Sequence, residues 1–521
     1  MINAVKQIVI VGGGTAGWLT AGVIAAEHCL QPESQIKVTL IESPDISPIG
    51  VGEGTWPSMR STLQKIGISE TDFFRECDAS FKQGSCFSGW VTGAKNDRYY
   101  HPFTPPHGFE DTNLAVYWQA AREQISFAAA VCPQGELCNR GLAPKNITTP
   151  EYGFNVNYGY HLDAGKFALY LRKHCVEKLG VKHVLDTVVA VNSADSGDIK
   201  SVAVSAGEEV SGDLFIDCSG FAALLIGKHF GIEFCSKKEF LFNDTALAVQ
   251  VPYQNEGDAI ASHTLSTAQE AGWIWDIGLP TRRGVGYVYS SAHSSDDRAE
   301  AELRHYISET SGGLDSDSIS LRKLKINPGH RQKLWHKNCV AVGMAAGFLE
   351  PLEASALALV EQSAKMISEQ LPANREVMDV VSKRFNEKFL YHWQRIIDFL
   401  KLHYVLTQRQ DTAYWRDNCQ LVSIPDSLQE LLSLWRYQVP WHLDAPLIDE
   451  LFPAASFQYV LYGMGFETKN HPERSTSDTK SMSNANSLFQ ENAQRTLNLL
   501  ASLPTNRELI NKIEKYGFQK I

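Results

Sequence analysis

One lysine lies in sequence surroundings that suit amine chemistry. Lys82 belongs to a strand-like run, and the residues that share its face at a period of two are all small, namely Ser80, Gly84 and Cys86. Small neighbours leave space around the amine, which indicates a cavity-facing lysine. A solvated lysine on an edge strand is the alternative interpretation.

An acid at a predicted helix start is the second candidate. Glu353 follows a buried strand and a glycine-rich loop, and a helix continues from there to about residue 371. The free N–H groups of Ala354, Ser355 and Ala356 would form a small anion site, because a helix N-terminus favours negative charge. Glu353 itself could simply cap the helix. If it meets Lys82, the lysine stays protonated and the pair handles protons.

A glycine fingerprint near the N-terminus predicts a dinucleotide site. A β-branched run over 7–11 ends in Gly12, Gly14 and Gly17, and these open a helix. Gly12 permits the turn, Gly14 lets the backbone approach a pyrophosphate, and Gly17 allows helix and strand to pack closely. A second strand ends at Glu42, where an acid can bind the ribose hydroxyls. The order of strand, helix, strand and acid supports a bound dinucleotide.

Aromatic side chains and one loop supply further candidates. The cluster Tyr99–Phe103 could line an aromatic-substrate pocket or belong to the core. Trp273 and Trp275 share one face of a predicted strand, where they could wall off a site or pack as core residues. The glycine- and proline-rich loop Ser43–Pro57 lies beside the cofactor site, so we expect a functional loop rather than a plain connector.

The elements that position these residues are predicted from periodicity. Strand patterns over 239–250 and 281–291 predict a second sheet. The segment 376–415 is helical and rich in aromatic residues. The stretch 467–486 is dominated by Ser, Thr, Asn and Lys, and predicts a mobile surface loop. We expect two closely joined units, because the later cofactor motifs return to the first one.

Composition excludes several classes of protein. The chain has 521 residues, a net charge of −11 and 44% apolar residues, which argue against nucleic acid or an anionic membrane as a partner. Its ten cysteines are scattered singly without zinc-site spacing, so we expect reduced thiols and no metal site. No long uncharged apolar run and no signal peptide are evident, and we therefore expect a soluble, cytoplasmic protein.

Taken together, the motifs resemble those of the flavin-dependent tryptophan halogenase family. The resemblance covers nearly the full chain and rests on Gly12-Gly13-Gly14-Thr15-Ala16-Gly17-Trp18, Gly50-Val51-Gly52-Glu53, Phe81-Lys82, Trp273-Ile274-Trp275-Asp276-Ile277, Gly347-Phe348-Leu349-Glu350-Pro351-Leu352-Glu353 and His403-Tyr404. It implies an α/β chain with a Rossmann-type FAD-binding fold of the flavin monooxygenase kind, a second mixed sheet and an added helical C-terminal region. The implied domains are an FAD-binding module over 1–370, with its Rossmann core in 1–90, 155–235 and 325–370, and a helical region over 371–521 that caps the substrate site.

The resemblance also implies a mechanism. In this mechanism a separate flavin reductase would supply FADH2, which would react with molecular oxygen to give a flavin hydroperoxide. A chloride or bromide ion held at the amides of Ser355 and Ala356 would attack it and yield hypohalous acid. Lys82 would hold or carry the electrophilic halogen beside a small aromatic substrate, and Glu353 would orient it or take up the ring proton.

Further site residues follow from the same resemblance. The expected contacts to FAD are Gly12, Gly14, Thr15, Ala16, Gly17, Glu42, Gly50, Val51, Gly52, Val188, Gly343, Met344 and Leu357. The expected substrate contacts are His101, Phe103 and Phe452, and Trp273 and Trp275 would keep the substrate away from the flavin. The partners would be the reductase and the aromatic substrate, without nucleic acid or membrane, and a homodimer is left open.

The sequence departs from the family pattern at three places. Gly278 stands where the family has proline, and Ala354 stands where it has serine. The tyrosine pair and glutamate that grip an amino acid are not found between 441 and 452. We therefore expect an indole or a larger indole or phenol compound rather than free tryptophan. The alternatives are an FAD-dependent aromatic monooxygenase and a non-catalytic flavin-binding paralogue.

Overall fold

A computed structural model describes residues 4–31, 33–46, 52–94, 96–469 and 479–519 of the chain. Alternating stretches of sequence build two compact units. Unit 1 consists of Met1–Asp78, Leu162–Lys237 and Asn327–Gln394, and unit 2 of Ala79–His161, Lys238–Ile326 and Arg395–Ile521. The predicted domain limits at 370 and 371 are not tested by this division and stay a prediction.

The strands of the described residues are β1 Gln7–Val11, β2 Lys37–Glu42, β3 Gly52–Gly54, β4 Ser80–Lys82, β5 Gly84–Ser88, β6 Arg98–Pro102, β7 Gly159–Asp163, β8 Lys182–Leu185, β9 Val188–Ser193, β10 Ile199–Val204, β11 Glu209–Ser211, β12 Leu214–Asp217, β13 Phe234–Ser236, β14 Thr245–Pro252, β15 Thr264–Ala268, β16 Gly272–Gly278, β17 Arg282–Tyr289, β18 Arg322–Lys325, β19 Gly329–Arg331, β20 Trp335–His336, β21 Cys339–Ala341 and β22 Gly347–Phe348.

The α-helices of the described residues are α1 Thr15–His28, α2 Ser58–Lys65, α3 Glu70–Glu76, α4 Leu114–Trp118, α5 Phe127–Val131, α6 Gln134–Asn139, α7 Ala164–Leu179, α8 Asp296–Thr310, α9 Ser355–Glu369, α10 Arg375–Val405, α11 Ala413–Asn418, α12 Asp426–Trp435, α13 Ala454–Gly463, α14 Thr479–Ser502 and α15 Asn506–Tyr516. Short 3-10 turns lie at Gly343–Ala345 and Leu352–Ala354. No described helix is both long and apolar enough to cross a membrane.

A sheet of six strands organises unit 1, in the order β20-β21-β12-β1-β2-β8. All neighbours are parallel except β20 and β21. Ile10 of β1 lies opposite Leu40 and Ile216, and all three are fully buried. Helix α1 packs against α7 and α9. This arrangement explains the β-branched run at the start of the chain, because strands of parallel sheets are buried on both faces.

A second sheet, of seven strands, organises unit 2, in the order β18-β14-β17-β16-β15-β5-β6. It is mixed, because β15 and β5 are parallel whereas the other neighbours are antiparallel. Helix α8 covers part of the sheet, and Leu303 and Ile307 share a core cluster with Ile274 and Val285. The predicted strand at 239–250 begins later, at Thr245, because residues 238–240 form a turn.

Two local predictions are wrong. The run around Lys82 is not one continuous strand: β4 pairs with β7, whereas β5 pairs with β6 and β15. Gly84 turns the chain there, with φ +149°, and a Cβ at this position would lie 2.3 Å from the carbonyl oxygen of His101. The predicted loop at 467–486 includes the first turns of α14, where Ala485 is fully buried. Residues 470–478 lie outside the described ranges.

The cysteines are free thiols, and seven of the ten are buried. Burial raises the pKa of Cys77 and Cys339 well above the ordinary value. It also raises the pKa of Cys86 to about 11 and that of Cys175 to about 12. These side chains therefore behave as small apolar groups in the core.

Candidate functional site

The glycines of the turn between β1 and α1 have different structural functions. A Cβ on Gly12, whose φ is +120°, would lie 2.1 Å from the carbonyl oxygen of Cys218. A Cβ on Gly17 would lie 1.9 Å from the carbonyl oxygen of Gly12. Gly14, the N-cap of α1, has no protein atom beyond its own stretch of chain within 4 Å of that position. Gly12 and Gly17 therefore allow close packing, whereas Gly14 leaves open space at the helix start.

A second glycine turn, after β21, meets the same helix end. Gly343 has φ +68°, and a Cβ there would lie 2.8 Å from the Cβ of Ala16. Met344 follows it and is 36% exposed, whereas Leu357 in α9 is buried. Thr15 in the first turn of α1 is half-buried. The structure thus brings the first turn of α1 and the Gly343 turn into contact within unit 1.

Glu42 ends β2 beside the glycine turn. Its side chain occupies the space next to Gly13, where a Cβ would lie 2.3 Å from the Glu42 Cδ. Its Oε2 is 3.0 Å from Nε2 of His183. The carbonyl oxygen of Glu42 accepts a 2.9 Å hydrogen bond from the N–H of Asp186, which lies two residues before Val188. Glu42 and the start of β9 therefore lie at the same edge of the sheet.

These features fit a dinucleotide. The carboxyl ends of parallel strands β1, β2, β12 and β21 meet at one edge of the unit 1 sheet, which is where α/β sheets bind ligands. The open space at Gly14 lies at the N-terminus of α1, where unpaired N–H groups and the helix dipole favour a pyrophosphate. Gly52 is buried in β3, whereas Gly50 and Val51 lie outside the described residues.

Beside Gly52, the carboxyl of Glu53 has an altered acidity. Burial, assisted by the charge of Asp163, raises the pKa of Glu53 to about 7. Within the described ranges its Oε2 has no hydrogen-bond partner. A carboxyl of this kind is readily protonated near neutral pH.

Glu353 has an unusual backbone. Both Glu353, with φ +67°, and Ala354, with φ +55°, adopt the left-handed conformation that residues other than glycine rarely take. The Glu353 side chain is buried. The indole N–H of Trp56 donates a 2.7 Å hydrogen bond to the carbonyl oxygen of Glu353. Two adjacent strained residues cost about 1–3 kcal/mol each, and such strain clusters at functional sites.

The start of α9 differs from the prediction in one respect. The N–H of Ala354 donates a 2.9 Å hydrogen bond to the carbonyl oxygen of Pro351, so the prediction that this N–H is free is wrong. The reason is the 3-10 turn at Leu352–Ala354, which delays the start of α9 to Ser355. Ser355 is buried and Ala356 exposed, and both lie in the first turn, where helix N–H groups lack helical acceptors.

Lys82 is buried in unit 2, with only 1% of its surface exposed. This excludes the solvated-edge interpretation. Its Nζ lies 5.3 Å from the centre of the Phe103 ring, a cation–π distance. Gly159 lies opposite Lys82 on β7, and His161 lies opposite Ser80 on the same pair of strands. Burial lowers the pKa of His161 well below its usual range, and the charge of Lys82 contributes.

An aromatic cluster of unit 2 includes two predicted substrate contacts. His101 is buried, with its Nε2 2.9 Å from the Ser456 hydroxyl and its ring 5.6 Å from that of Phe399. Phe399 stacks on Phe452 at a ring distance of 3.8 Å. His101 and Phe452 are therefore linked through Phe399, a residue that sequence reasoning missed. Its only signal was its place in the aromatic-rich helix.

Trp273 and Trp275 lie on one face of β16, as predicted, with ring centres 6.4 Å apart. Trp273 is fully buried and contacts Trp90 at 6.3 Å. The Trp275 ring covers Gly286 on the next strand, where a Cβ would lie 2.1 Å from the Trp275 Cζ2. Both rings are thus packed inside unit 2, and a shielding function stays a prediction.

The structure brings several predicted residues together within each unit. In unit 1 these are the glycine turn, Ala16 and Gly343, and in unit 2 they are Lys82 and Phe103. Glu353 belongs to unit 1 and Lys82 to unit 2, so their predicted pairing stays a prediction. Sequence reasoning placed Trp56 in a functional loop but missed its contact with Glu353.

Comparison with known proteins covers nearly the whole chain. The family model for tryptophan halogenase matches residues 7–479. The crystal structure of a tryptophan halogenase from Shewanella frigidimarina NCIMB 400 is 54% identical, with a TM-score of 0.96 and 99% of each chain covered. Tar14, a tryptophan C-6 flavin-dependent halogenase (chlorinase) from taromycin biosynthesis, is 31% identical, with a TM-score of 0.89 and coverage of 98% and 99%. Tryptophan 6-halogenase ThaL from Streptomyces albogriseolus is 31% identical over 98% of this chain and 99% of its own length.

These similarities confirm the predicted fold class. Unit 1 carries the parallel sheet of a Rossmann-type FAD-binding fold, and unit 2 carries the mixed sheet. The elements after residue 371 that the structure describes are helical, as predicted for the C-terminal region.

Proposed function

The chain belongs to the tryptophan halogenase family, and we propose that it installs chloride or bromide on an electron-rich aromatic ring of the indole type. The family is flavin-dependent, and the chain is accordingly an oxidoreductase enzyme. The observation that supports ring halogenation is the buried amine of Lys82 beside the Phe103 ring. An ammonium shielded from water can donate a hydrogen bond to hypohalous acid, and a neutral amine can exchange an N–H hydrogen for the halogen with release of water; either presents electrophilic halogen to a ring placed beside it.

FAD would bind at the edge of the unit 1 sheet. Gly14, Thr15 and Ala16 would approach the pyrophosphate, and Glu42 would accept hydrogen bonds from the ribose hydroxyls. The remaining contacts would come from Gly12, Gly17, Gly50, Val51, Gly52, Val188, Gly343, Met344 and Leu357. A separate flavin reductase would reduce the flavin. The reduced flavin and oxygen would then supply the two-electron oxidation that turns halide into hypohalous acid.

Residues at the start of α9 would handle the anion and the proton. The amides of Ser355 and Ala356 would bind the halide, supported by the helix dipole. Glu353 would take the proton that leaves the ring carbon when the carbon–halogen bond forms, a general-base function. Its strained backbone, held by Trp56, supports a fixed position for this carboxylate.

Substrate binding would fall to unit 2. Phe103 is half-buried, and its ring would stack against an indole. His101 and Phe452 would complete the aromatic surface through Phe399. Trp273 and Trp275 would keep the substrate away from the flavin and so prevent hydroxylation. The relatives are described as tryptophan halogenases, so free tryptophan is compared directly with indole and phenol compounds in the test.

The test is a halogenation assay with the purified chain, FAD, a flavin reductase, oxygen and bromide or chloride. Tryptophan, indole and a phenol are supplied in parallel, and products are read from isotope patterns in a mass spectrometer. We expect halide-dependent ring products that disappear in Lys82→Met while FAD binding persists. A hydroxylated product would instead support an aromatic monooxygenase, and FAD binding without any product would support a non-catalytic paralogue.

A further inference from the structure

A hydrogen-bond network holds Phe103 close to the strand of Lys82. The N–H of Phe103 donates a 3.0 Å hydrogen bond to the carbonyl oxygen of Gln83, the residue directly after Lys82. The Phe103 carbonyl oxygen accepts a 3.1 Å hydrogen bond from the side chain of Asn157. Both polar groups of the Phe103 backbone are therefore bonded within unit 2, and its ring centre lies 5.3 Å from the Lys82 amine.

One side chain joins the segments of this network. Gln134, the first residue of α6, is fully buried. Its Oε1 accepts a 2.7 Å hydrogen bond from the N–H of Thr104, and its Nε2 donates to the carbonyl oxygen of Asn157 at 2.5 Å. The same Nε2 lies 3.4 Å from Oε1 of Gln83. The side-chain amide of Gln134 thus contacts Thr104, Gln83 and Asn157. Thr104 follows Phe103, Gln83 follows Lys82, and Asn157 donates to the Phe103 carbonyl oxygen.

The network leaves Phe103 little freedom to move relative to Lys82. Tyr459 donates a 2.9 Å hydrogen bond to the carbonyl oxygen of Thr104. Both the N–H and the carbonyl group of Thr104 are therefore hydrogen-bonded. Gln83 is itself fixed, because its Nε2 donates a 2.7 Å hydrogen bond to the carbonyl oxygen of Leu142. In a buried network of this kind, loss of one amide leaves several groups unpaired, and the segment must shift to satisfy them.

We propose that Gln134 is a positioning residue that sets the place of the Phe103 ring over Lys82. Through that ring it governs which carbon of the aromatic substrate meets the amine, and what share of the oxidised halide reaches the substrate rather than escaping to solvent. This inference rests on the proposed function. It goes beyond it because Gln134 would touch neither substrate nor cofactor.

The experiment compares three variants of the full chain. Gln134→Leu keeps the approximate volume but removes both polar groups, and Gln134→Glu keeps the acceptor for Thr104 while losing the donor to Asn157. Asn338→Leu is the matched control, because Asn338 is a buried amide of unit 1 that bonds Ile199 through its oxygen (2.9 Å) and its nitrogen (2.8 Å). Each variant is assayed with indole and bromide for ring product, for the ratio of product isomers, and for hypobromous acid captured by a diffusible trap.

We expect Gln134→Leu to lower the ring product by about tenfold, since small misplacements of reacting groups cost rate steeply. The isomer ratio changes and the trapped share of hypobromous acid rises, while FAD binding stays at the wild-type level. Gln134→Glu shows the same changes to a smaller degree. If Gln134→Leu does not fold, the comparison of Gln134→Glu with the wild type is the test. Asn338→Leu loses thermal stability but keeps the wild-type isomer ratio.

An unchanged isomer ratio and trapped share in the folded Gln134 variants would overturn the inference while leaving the proposed function intact. The same change in Asn338→Leu would also overturn it, because a general loss of stability would then explain the effect. If the wild-type chain yields neither ring product nor trapped hypobromous acid, the proposed function fails and the inference fails with it.

Discussion

The indole N–H of Trp56 lies 2.7 Å from the carbonyl oxygen of Glu353, across 297 residues of sequence. The contact holds a residue whose φ is +67° and whose successor is also left-handed. A hydrogen bond at such a point favours the strained conformation over the relaxed one. The backbone that carries the Glu353 carboxylate is therefore held by a side chain from the loop after β3.

Replacing Trp56 by phenylalanine should relax this segment. The lost hydrogen bond costs about 1 kcal/mol of unfolding free energy, and we expect halogenation to fall by about tenfold through misplacement of Glu353. Trp335→Phe is the matched control, because Trp335 donates a 3.0 Å hydrogen bond to the carbonyl oxygen of Lys337, another left-handed residue. It should lower stability and leave the rate per folded molecule unchanged. Calorimetry and product formation measure the two effects, and equal activity losses would contradict the assignment.

The glycines of the first turn should separate binding from folding. Gly14→Ala meets no protein atom, so we expect wild-type thermal stability but FAD affinity weakened by about 1.4 kcal/mol, or tenfold. Gly17→Ala would clash with the carbonyl oxygen of Gly12, and we expect a loss of about 1–3 kcal/mol in stability even without FAD. Thermal unfolding and flavin fluorescence titration measure both. Normal FAD binding by Gly14→Ala would show that the pyrophosphate lies elsewhere.

Removal of the Lys82 amine should abolish halogenation specifically. Lys82→Met should lower product formation by at least about 100-fold, the scale of a lost acid–base or nucleophilic group. Lys145→Met removes another fully buried amine of unit 2, which lies 3.0 Å from the Tyr158 hydroxyl. That control should destabilise the protein and retain activity per folded molecule. A Lys82→Met enzyme that still halogenates would remove the amine from the mechanism.

Glu361 gives a pH dependence with a definite sign. Burial raises the pKa of its carboxyl from 4.5 to about 7, although Ser58 and Thr62 donate hydrogen bonds to it. In the unfolded chain the same carboxyl loses its proton at lower pH. Its contribution to stability is therefore full below pH 4.5, and is lost as the pH rises through 7.

Glu361→Gln should remove the cost of burying a charged carboxylate at high pH. At pH 8 we expect the variant to exceed the wild type in unfolding free energy by up to about 3 kcal/mol, the value of the pKa difference. Near pH 4 the two proteins should be equally stable. Glu369→Gln changes an exposed position of the same helix and is the control. It should not show a gain in stability that appears only at pH 8. Chemical denaturation across this pH range provides the measurement.

Local patterns in the sequence were sufficient to predict the glycine turn, the strand of Trp273 and the helical C-terminal region. Each of these depends on neighbours close in the chain, where periodicity and turn chemistry operate. The break at Gln83 was missed, because it depends on the close approach of Gly84 to His101. The left-handed pair at Glu353 and Ala354 was missed for the same reason. Their conformation is fixed by packing and by Trp56, and neither residue type signals it.

The distant contacts of the candidate site followed no visible pattern. Gln134 lies 51 residues from Gln83, and its type is common on surfaces. Phe399 belongs to a helix that carries other aromatic residues, so its contact with His101 had no separate signal. Such partners are chosen by the folded topology, which brings together strand ends and helix faces that are far apart in sequence.

The buried cysteines have a consequence for the lifetime of such a catalyst. An enzyme that generates an electrophilic halogen exposes its own sulfur atoms to attack, and the reactive species is the thiolate. Burial raises the pKa of Cys77, Cys138 and Cys218, which keeps these sulfurs protonated and out of reach of a diffusing oxidant. Under the proposed function, this burial would limit oxidation of the three thiols by the halogenating species.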